Sequence, residues 1–219
     1  MKPLDLGRLR AWSAVPAPVF VGGNQIDLLE GGDALFPRMR QAISEARQEV
    51  WLATYIFHDD PASQAIARVL MEAAERGVAV HVVVDGFGSI STMDRVRARF
   101  AGSAVRLEVF RPLDRWYAWL QPGQLRRLHQ KLCVCDEAVA FVGGINVIDD
   151  RLDMHHGWQD TPRLDYAVQM RGPLAGAGAP ERRPEGRQIC AHRKDARRRL
   201  QQRHGLAAGG LAPCIVDQS

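Results

Sequence analysis

The sequence predicts an α/β fold, a mixed sheet flanked by helices on both faces. Three observations carry this. Between Gln25 and Arg171, apolar runs of strand length alternate with stretches of helical period. The helical stretches are roughly ten to fifteen residues long, the length that carries a chain from one strand to the next strand of the same sheet. One pair of strands is separated only by Asp136-Glu137-Ala138, which demands an antiparallel hairpin and makes the sheet mixed.

Each element has its own warrant. Gln25–Leu29 is a short strand. Asp33 is a good N-cap for a helix on which Leu35, Met39, Ile43 and Ala46 recur at helical spacing. Glu49–Phe57, with Val50, Leu52, Tyr55 and Phe57, is a mostly buried strand. Pro61–Arg76 opens with the proline favoured at a first helical position, behind Asp60 as cap, and stops at Gly77. Val78–Asp85 is a strand of β-branched residues ending on the turn pair Asp85-Gly86. A third helix follows over Thr92–Phe100 and a strand over Val105–Phe110. Leu132–Cys135 and Val139–Val142 form the hairpin, and Leu164–Met170 is the last strand.

The 219 residues, 46% of them hydrophobic, suffice for one domain with a buried core and an appendage. The expected division is an N-terminal extension over 1–24, the α/β domain over 25–173 and an Arg/Ala/Gly-rich tail over 174–219. No run approaches the roughly 20 apolar residues of a membrane-spanning helix, and Met1–Arg10 lacks the apolar block of a secretory signal. Cys133, Cys135, Cys190 and Cys214 suit neither a disulfide framework nor a zinc site, and read as small hydrophobic residues of a reducing compartment.

Charge is divided unevenly. The tail holds nine Lys and Arg against four Asp and Glu, while residues 1–173 hold 20 against 21. A pI of 9.1 therefore does not place a basic patch on the folded body, and this argues against nucleic acid as the partner. The tail has almost no periodic apolar positions and cannot offset the entropy of ordering itself. It reads either as a basic, disordered interaction segment or as a departure from the ancestral reading frame. Its resemblance to GC-rich DNA read out of frame favours the second.

The chemistry is concentrated in His129-Gln130-Lys131-Leu132-Cys133-Val134-Cys135-Asp136. On an extended strand His129 and Lys131 share a face about 7 Å apart, with Cys133 and Cys135, while Leu132, Val134 and Asp136 face the other way. A phosphate fits between an imidazole that attacks phosphorus and an ammonium that neutralises its oxygens. Asp136, at the turn, is placed to fix the hairpin by hydrogen bonds. Seven residues after Asp136 comes Gly143-Gly144-Ile145-Asn146, glycines that let a phosphate approach the backbone and an amide that donates to it. A lone His-x-Lys is a weak signal. The joint spacing of His129, Lys131, Asp136, Gly144 and Asn146 is highly specific.

These residues resemble the motif of the phospholipase D superfamily, and Gln25–Pro173 resembles the N-terminal half of bacterial cardiolipin synthases. Further landmarks are Leu28-Leu29-Glu30, Thr54-Tyr55-Ile56-Phe57, Asp85-Gly86-Phe87-Gly88-Ser89 and Leu164-Asp165-Tyr166-Ala167-Val168 before Arg171-Gly172-Pro173. The resemblance implies a phospholipase D-like mixed sheet and a phosphatidyltransferase that works through a phosphohistidine on phosphatidylglycerol-like lipids. It implies no metal and no other cofactor. His129, Lys131 and Asp136 take the catalytic positions, with His129 as nucleophile or acid and Lys131 as phosphate clamp. Gly144 and Asn146 take phosphate-contacting positions, and Asp165 that of the acid that holds a motif histidine in one tautomer. The implied partner is a phospholipid at the membrane surface, with the protein peripheral on the cytoplasmic side.

Cardiolipin synthases carry two such motifs, and this chain has one. A second motif-bearing half is needed, from a homodimer or from a missing C-terminal half. The alternatives are a homodimeric phosphodiesterase acting on nucleic acid and a non-catalytic truncated remnant.

Arg115-Trp116-Tyr117-Ala118-Trp119-Leu120 suits a membrane interface or a plug in the core, and Arg126-Arg127 a lipid phosphate or plain solvation. His155 and His156 are adjacent, cannot share one metal, and read as solvated loop residues.

Overall fold

The computed structural model describes residues 22–112 and 127–176. Residues 1–21 of the N-terminal extension, the Arg115–Leu120 cluster, Arg126, Cys190, Cys214 and all but the first residues of the tail lie outside these. In chain order the described elements are β1 (Gln25–Glu30), α1 (Gly31–Glu45), β2 (Glu49–Thr54), α2 (Pro61–Glu75), β3 (Ala79–Asp85), α3 (Met93–Phe100), β4 (Arg106–Phe110), β5 (Leu132–Cys135), β6 (Val139–Gly143), β7 (Leu152–Asp153), β8 (Gly157–Trp158), β9 (Tyr166–Arg171) and α4 (Pro173–Gly176).

Seven strands form a mixed sheet in the order β1-β9-β6-β5-β2-β3-β4, flanked by helices, and β7-β8 form a separate ribbon. β2, β3 and β4 run parallel; β1, β9, β6 and β5 are antiparallel neighbours, and β5 meets β2 antiparallel. Mixed topology follows from the connections, since helices join β2 to β3 and β3 to β4 while a three-residue turn joins β5 to β6.

The helices are unevenly shared between the two faces. Val50 and Leu52 of β2, Val82 of β3 and Cys133 of β5 point into one large core with Leu35 and Ile43 of α1, Ile66 and Leu70 of α2, and Val96 of α3. Residues of the opposite parity (Trp51, Leu132, Val134, Ala140, Met170) meet Ala175 of the short α4 instead. Three crossovers of the same hand, all stepping toward β4, put α1, α2 and α3 on the same side. Toward the β1 edge the second face leaves Ile26 and Leu28 at 61% and 69% exposure, with Val142 and Tyr166 also exposed.

Local readings hold where they rest on local chemistry. Asp60 caps α2, accepting from the Ser63 amide at 2.9 Å with Pro61 behind it. Cys133 and Cys135 are buried free thiols, and the Cys135 hydrogen bond with burial holds the Cys133 thiol far above its ordinary value. Asp33 does not cap α1. The helix begins two residues earlier, at Gly31 with φ of 70°, and the Asp150 carboxylate accepts from the Gly32 amide across the fold. Asp33 pairs with Arg151 at 3.0 Å. The predicted Glu49–Phe57 strand ends at Thr54, and Phe57 bridges in parallel to Val147.

Among the described residues, no helix is long and apolar enough to cross a membrane.

Candidate functional site

The sheet brings four chain segments to one end. The parallel register pairs Thr54 with Val84, and the antiparallel register pairs Ala53 with Leu132. The end of β2, the end of β3 and the start of β5 therefore coincide. Gly143 of β6 faces Ala167 of β9, which brings Gly144–Asn146 and Asp165 to the same end. β2 stops there because distant side chains take over its amides. After β2 the Asn146 side-chain oxygen accepts from the Ile56 amide at 3.1 Å, and the Ser89 hydroxyl accepts from the Phe57 amide at 2.9 Å. Side chains thus replace the ladder, and Tyr55 is turned outward.

His129 and Lys131 occupy the irregular stretch just before β5. His129 is exposed, and Lys131 is 9% exposed. Lys131 Nζ lies 3.2 Å from His129 Nδ1 and 3.2 Å from Nε2, closer than the separation of two side chains on an ideal strand suggests. An ammonium only donates, so the imidazole nitrogen facing it serves as acceptor. A phosphate oxygen entering here would compete with the imidazole for the same proton donor. Burial pulls the Lys131 ammonium below the usual amine value, and the Asp165 carboxylate pushes back.

Tyr55 forms the third wall. Its ring sits 5.0 Å from the His129 ring at a tilt of 52°, and Lys131 Nζ stands 5.6 Å from its centroid. Burial, with Asp85 adding and Arg127 opposing, raises the phenol above its ordinary value and keeps it protonated. Gly88 makes this placement possible, because a Cβ there would lie 2.3 Å from the Tyr55 carbonyl oxygen. From the sequence Tyr55 is a residue of the Glu49–Phe57 strand and of the Thr54–Phe57 landmark, with no sign of a place at the site. Its role depends on a neighbour 74 positions away, and no local periodicity reports that.

The remaining predicted residues separate into two groups. Asp165 is at the site, its carboxylate so close to Gly144 that a Cβ on the glycine would fall 2.2 Å from Oδ1. That carboxylate accepts from its neighbour, the Tyr166 amide, at 2.7 Å and acts electrostatically on Lys131. The Gly144 amide donates to the Tyr166 carbonyl at 2.9 Å, and the Asn146 side-chain oxygen accepts from the Ile56 amide. Asp136 is not brought to the site. It lies at the far end of β5, about 13 Å along the strand from Leu132, where its carboxylate accepts from the amides of Arg47, Gln48 and Glu49 at 2.7, 2.9 and 2.8 Å. A group so engaged reaches no substrate at His129, which corrects its place among the catalytic residues. His156 pairs with Asp153 at 2.9 Å within the β7-β8 ribbon.

Residues 39–156 match the family described as cardiolipin synthase, PLD-like domain. Cardiolipin synthase B of Salmonella typhi is 36% identical over 152 residues, 69% of this chain and 36% of that protein. Cardiolipin synthase A of Pseudomonas putida strain GB-1 is 32% identical over 166 residues, 76% of this chain and 34% of that protein. Among solved structures, Nuc of Salmonella typhimurium, a phospholipase D family member, is similar with a TM-score of 0.48 at 21% identity, covering 71% of this chain and 89% of that one. The chain spans little more than a third of the length of the curated relatives it matches, 36% for the first of them.

Proposed function

Because the chain belongs to the cardiolipin synthase family through its phospholipase D-like domain, we propose that it supplies one half of a phosphatidyltransferase site acting on phosphatidylglycerol-like lipids at a membrane surface. The observation that carries this is the exposed imidazole of His129 set against the buried ammonium of Lys131, with Tyr55 closing the third side. An imidazole nitrogen of His129 attacks phosphorus, the bond to the departing alcohol oxygen breaks, and a phosphohistidine carries the phosphatidyl group. Lys131 and the protonated Tyr55 neutralise the charge that gathers on the non-bridging oxygens. An acceptor alcohol then reverses the sequence and frees His129.

The departing oxygen needs a proton, and among the described residues no second His-x-Lys stands opposite His129 to give it. A second motif-bearing half completes the reaction, from another copy of the chain or from a C-terminal half. The exposed Ile26, Leu28, Val142 and Tyr166 support a chain that is covered by something further. The single motif also supports a second reading, that the chain alone is a non-catalytic half. The lipid reading places the protein peripherally on the cytoplasmic side of the membrane.

Purified protein is incubated with phosphatidylglycerol vesicles and, separately, with plasmid DNA, each beside His129→Ala. Lipid turnover lost in the variant is the expected result, and DNA cleavage alone would overturn it. Silence in both assays from a monomer by light scattering establishes the non-catalytic half.

A further inference from the structure

We propose that Asp85 is a positioning residue for His129, its carboxylate tying the backbone that leads into the histidine to the turn that seats Tyr55. This rests on reading His129 and Lys131 as a phosphate-handling pair. Asp85 closes β3 and is fully buried, at 0% exposure. Its Oδ1 accepts from the amides of Phe87 and Gly88 at 2.8 and 3.1 Å. Its Oδ2 accepts from the amide of Leu128 at 2.8 Å, 43 residues further along the chain.

The two oxygens do different things. The bonds to Oδ1 fold the turn after β3 and press Gly88 against the Tyr55 carbonyl, where the Ser89 hydroxyl donates to that carbonyl at 3.2 Å. Such a turn needs one acceptor oxygen, and asparagine would form it as well as aspartate. The bond to Oδ2 is what requires a carboxylate, because an amide would present N–H to the Leu128 N–H. A buried carboxylate carries a desolvation cost that a turn alone does not justify.

The tie acts where the ladder does not. β5 begins at Leu132, so residues 128–131 precede the sheet's regular hydrogen bonding. Leu128 is buried at 7% exposure and the next residue, His129, is exposed. The imidazole thus projects from a root held on one side by the Leu128 side chain and on the other by Asp85. Both the histidine and the tyrosine that flanks it are referred to one carboxylate, which sets their separation.

Asp85→Asn keeps the acceptor for the turn and removes the tie to Leu128. Asp60→Asn, a change to another buried carboxylate with two backbone donors, serves as control for stability alone. Imidazole proton–carbon spectra of the full chain, with His129 assigned through His129→Ala, are followed without ligand and on titration with inorganic phosphate. In Asp85→Asn the His129 resonance shifts and broadens and its response to phosphate weakens about tenfold. Asp60→Asn lowers the unfolding temperature and leaves both unchanged. A His129 signal in Asp85→Asn that superimposes on the parent, or one disturbed equally by Asp60→Asn, overturns the proposal. If the parent shows no phosphate response, the phosphate reading fails while the ligand-free signal still decides the tie. Should Asp85→Asn not fold, hydrogen exchange in the parent decides: a Leu128 amide protected together with those of Phe87 and Gly88 is expected, and an unprotected one overturns it.

Discussion

The two ends of the sheet use aspartate in the same way for different purposes. At one end Asp136 accepts three backbone amides, those of Arg47, Gln48 and Glu49, and fixes the entry of β2 to the β5-β6 turn. At the other, Asp85 accepts three, those of Phe87, Gly88 and Leu128. The first set has His129 nowhere near it, and the second includes the residue before it. Membership of a sequence motif and membership of a site are therefore separate properties. Asp136 ties the far end of β5, the strand that follows Lys131, to the start of β2.

The largest effect that separates the two ends is on turnover. His129→Ala or Lys131→Met is expected to reduce phosphodiester turnover by about a thousandfold or more with little loss of stability. Asp136→Asn is expected to leave turnover per folded molecule within about twofold. Steady-state assays on folded-fraction-corrected protein check this, and a loss in Asp136→Asn matching that of His129→Ala would break the comparison.

Next is stability at the far end. Asp136→Ala deprives three amides of their acceptor and puts alanine at a φ of 51°, where non-glycine residues are strained and aspartate and asparagine are best tolerated. The expected cost is about 2–3 kcal/mol by urea unfolding, with Asp136→Asn costing less. Equal losses from both variants would assign the effect to charge and not to backbone.

A pH dependence sharpens the near end. Folding lowers the Lys131 value, mainly through burial, so around that range the unfolded chain binds more protons than the folded one. Stability should therefore rise with pH from the lowered value up to 10.5, the ordinary amine value. Lys131→Met should flatten that rise. Asp165→Asn, which removes the opposing push, should widen the window. Unfolding midpoints measured across alkaline pH test both, and an unchanged slope in Lys131→Met contradicts the assignment.

The smallest effect lies outside both ends. The backbone amides of His155 and then His156, with the His156 ring, hold Asp153 down to about 2. Whatever this exposed carboxylate adds to the β7-β8 ribbon is present above the ordinary carboxylate range and is lost as pH falls toward that value. A carboxyl-carbon titration with its midpoint at about 2 is expected; an ordinary midpoint would show the ribbon open in solution.

The legible features were those written in short range. The cap at Asp60, the hairpin across Asp136-Glu137-Ala138 and the alternation that sends Cys133 and Val134 to opposite faces of the sheet each depend on neighbours in sequence, where chirality and side-chain period act directly. The start of α1 was not legible, because the group that satisfies its first amides is Asp150, 118 residues from Gly32. Tyr55 was not legible as a wall of the site for the same reason.

By itself the sequence determined the α/β alternation, the mixed sheet and the spacing of His129, Lys131, Gly144 and Asn146 that places the chain in its family. Only the tertiary structure decided which amides Asp136 holds, that Tyr55 stands against Lys131 and His129, and that three helices crowd one face. Strand order and register determine which distant backbones meet at one end of the sheet. Hydrogen bonds between those meetings, and not the residues' own propensities, choose which side chains stand together there.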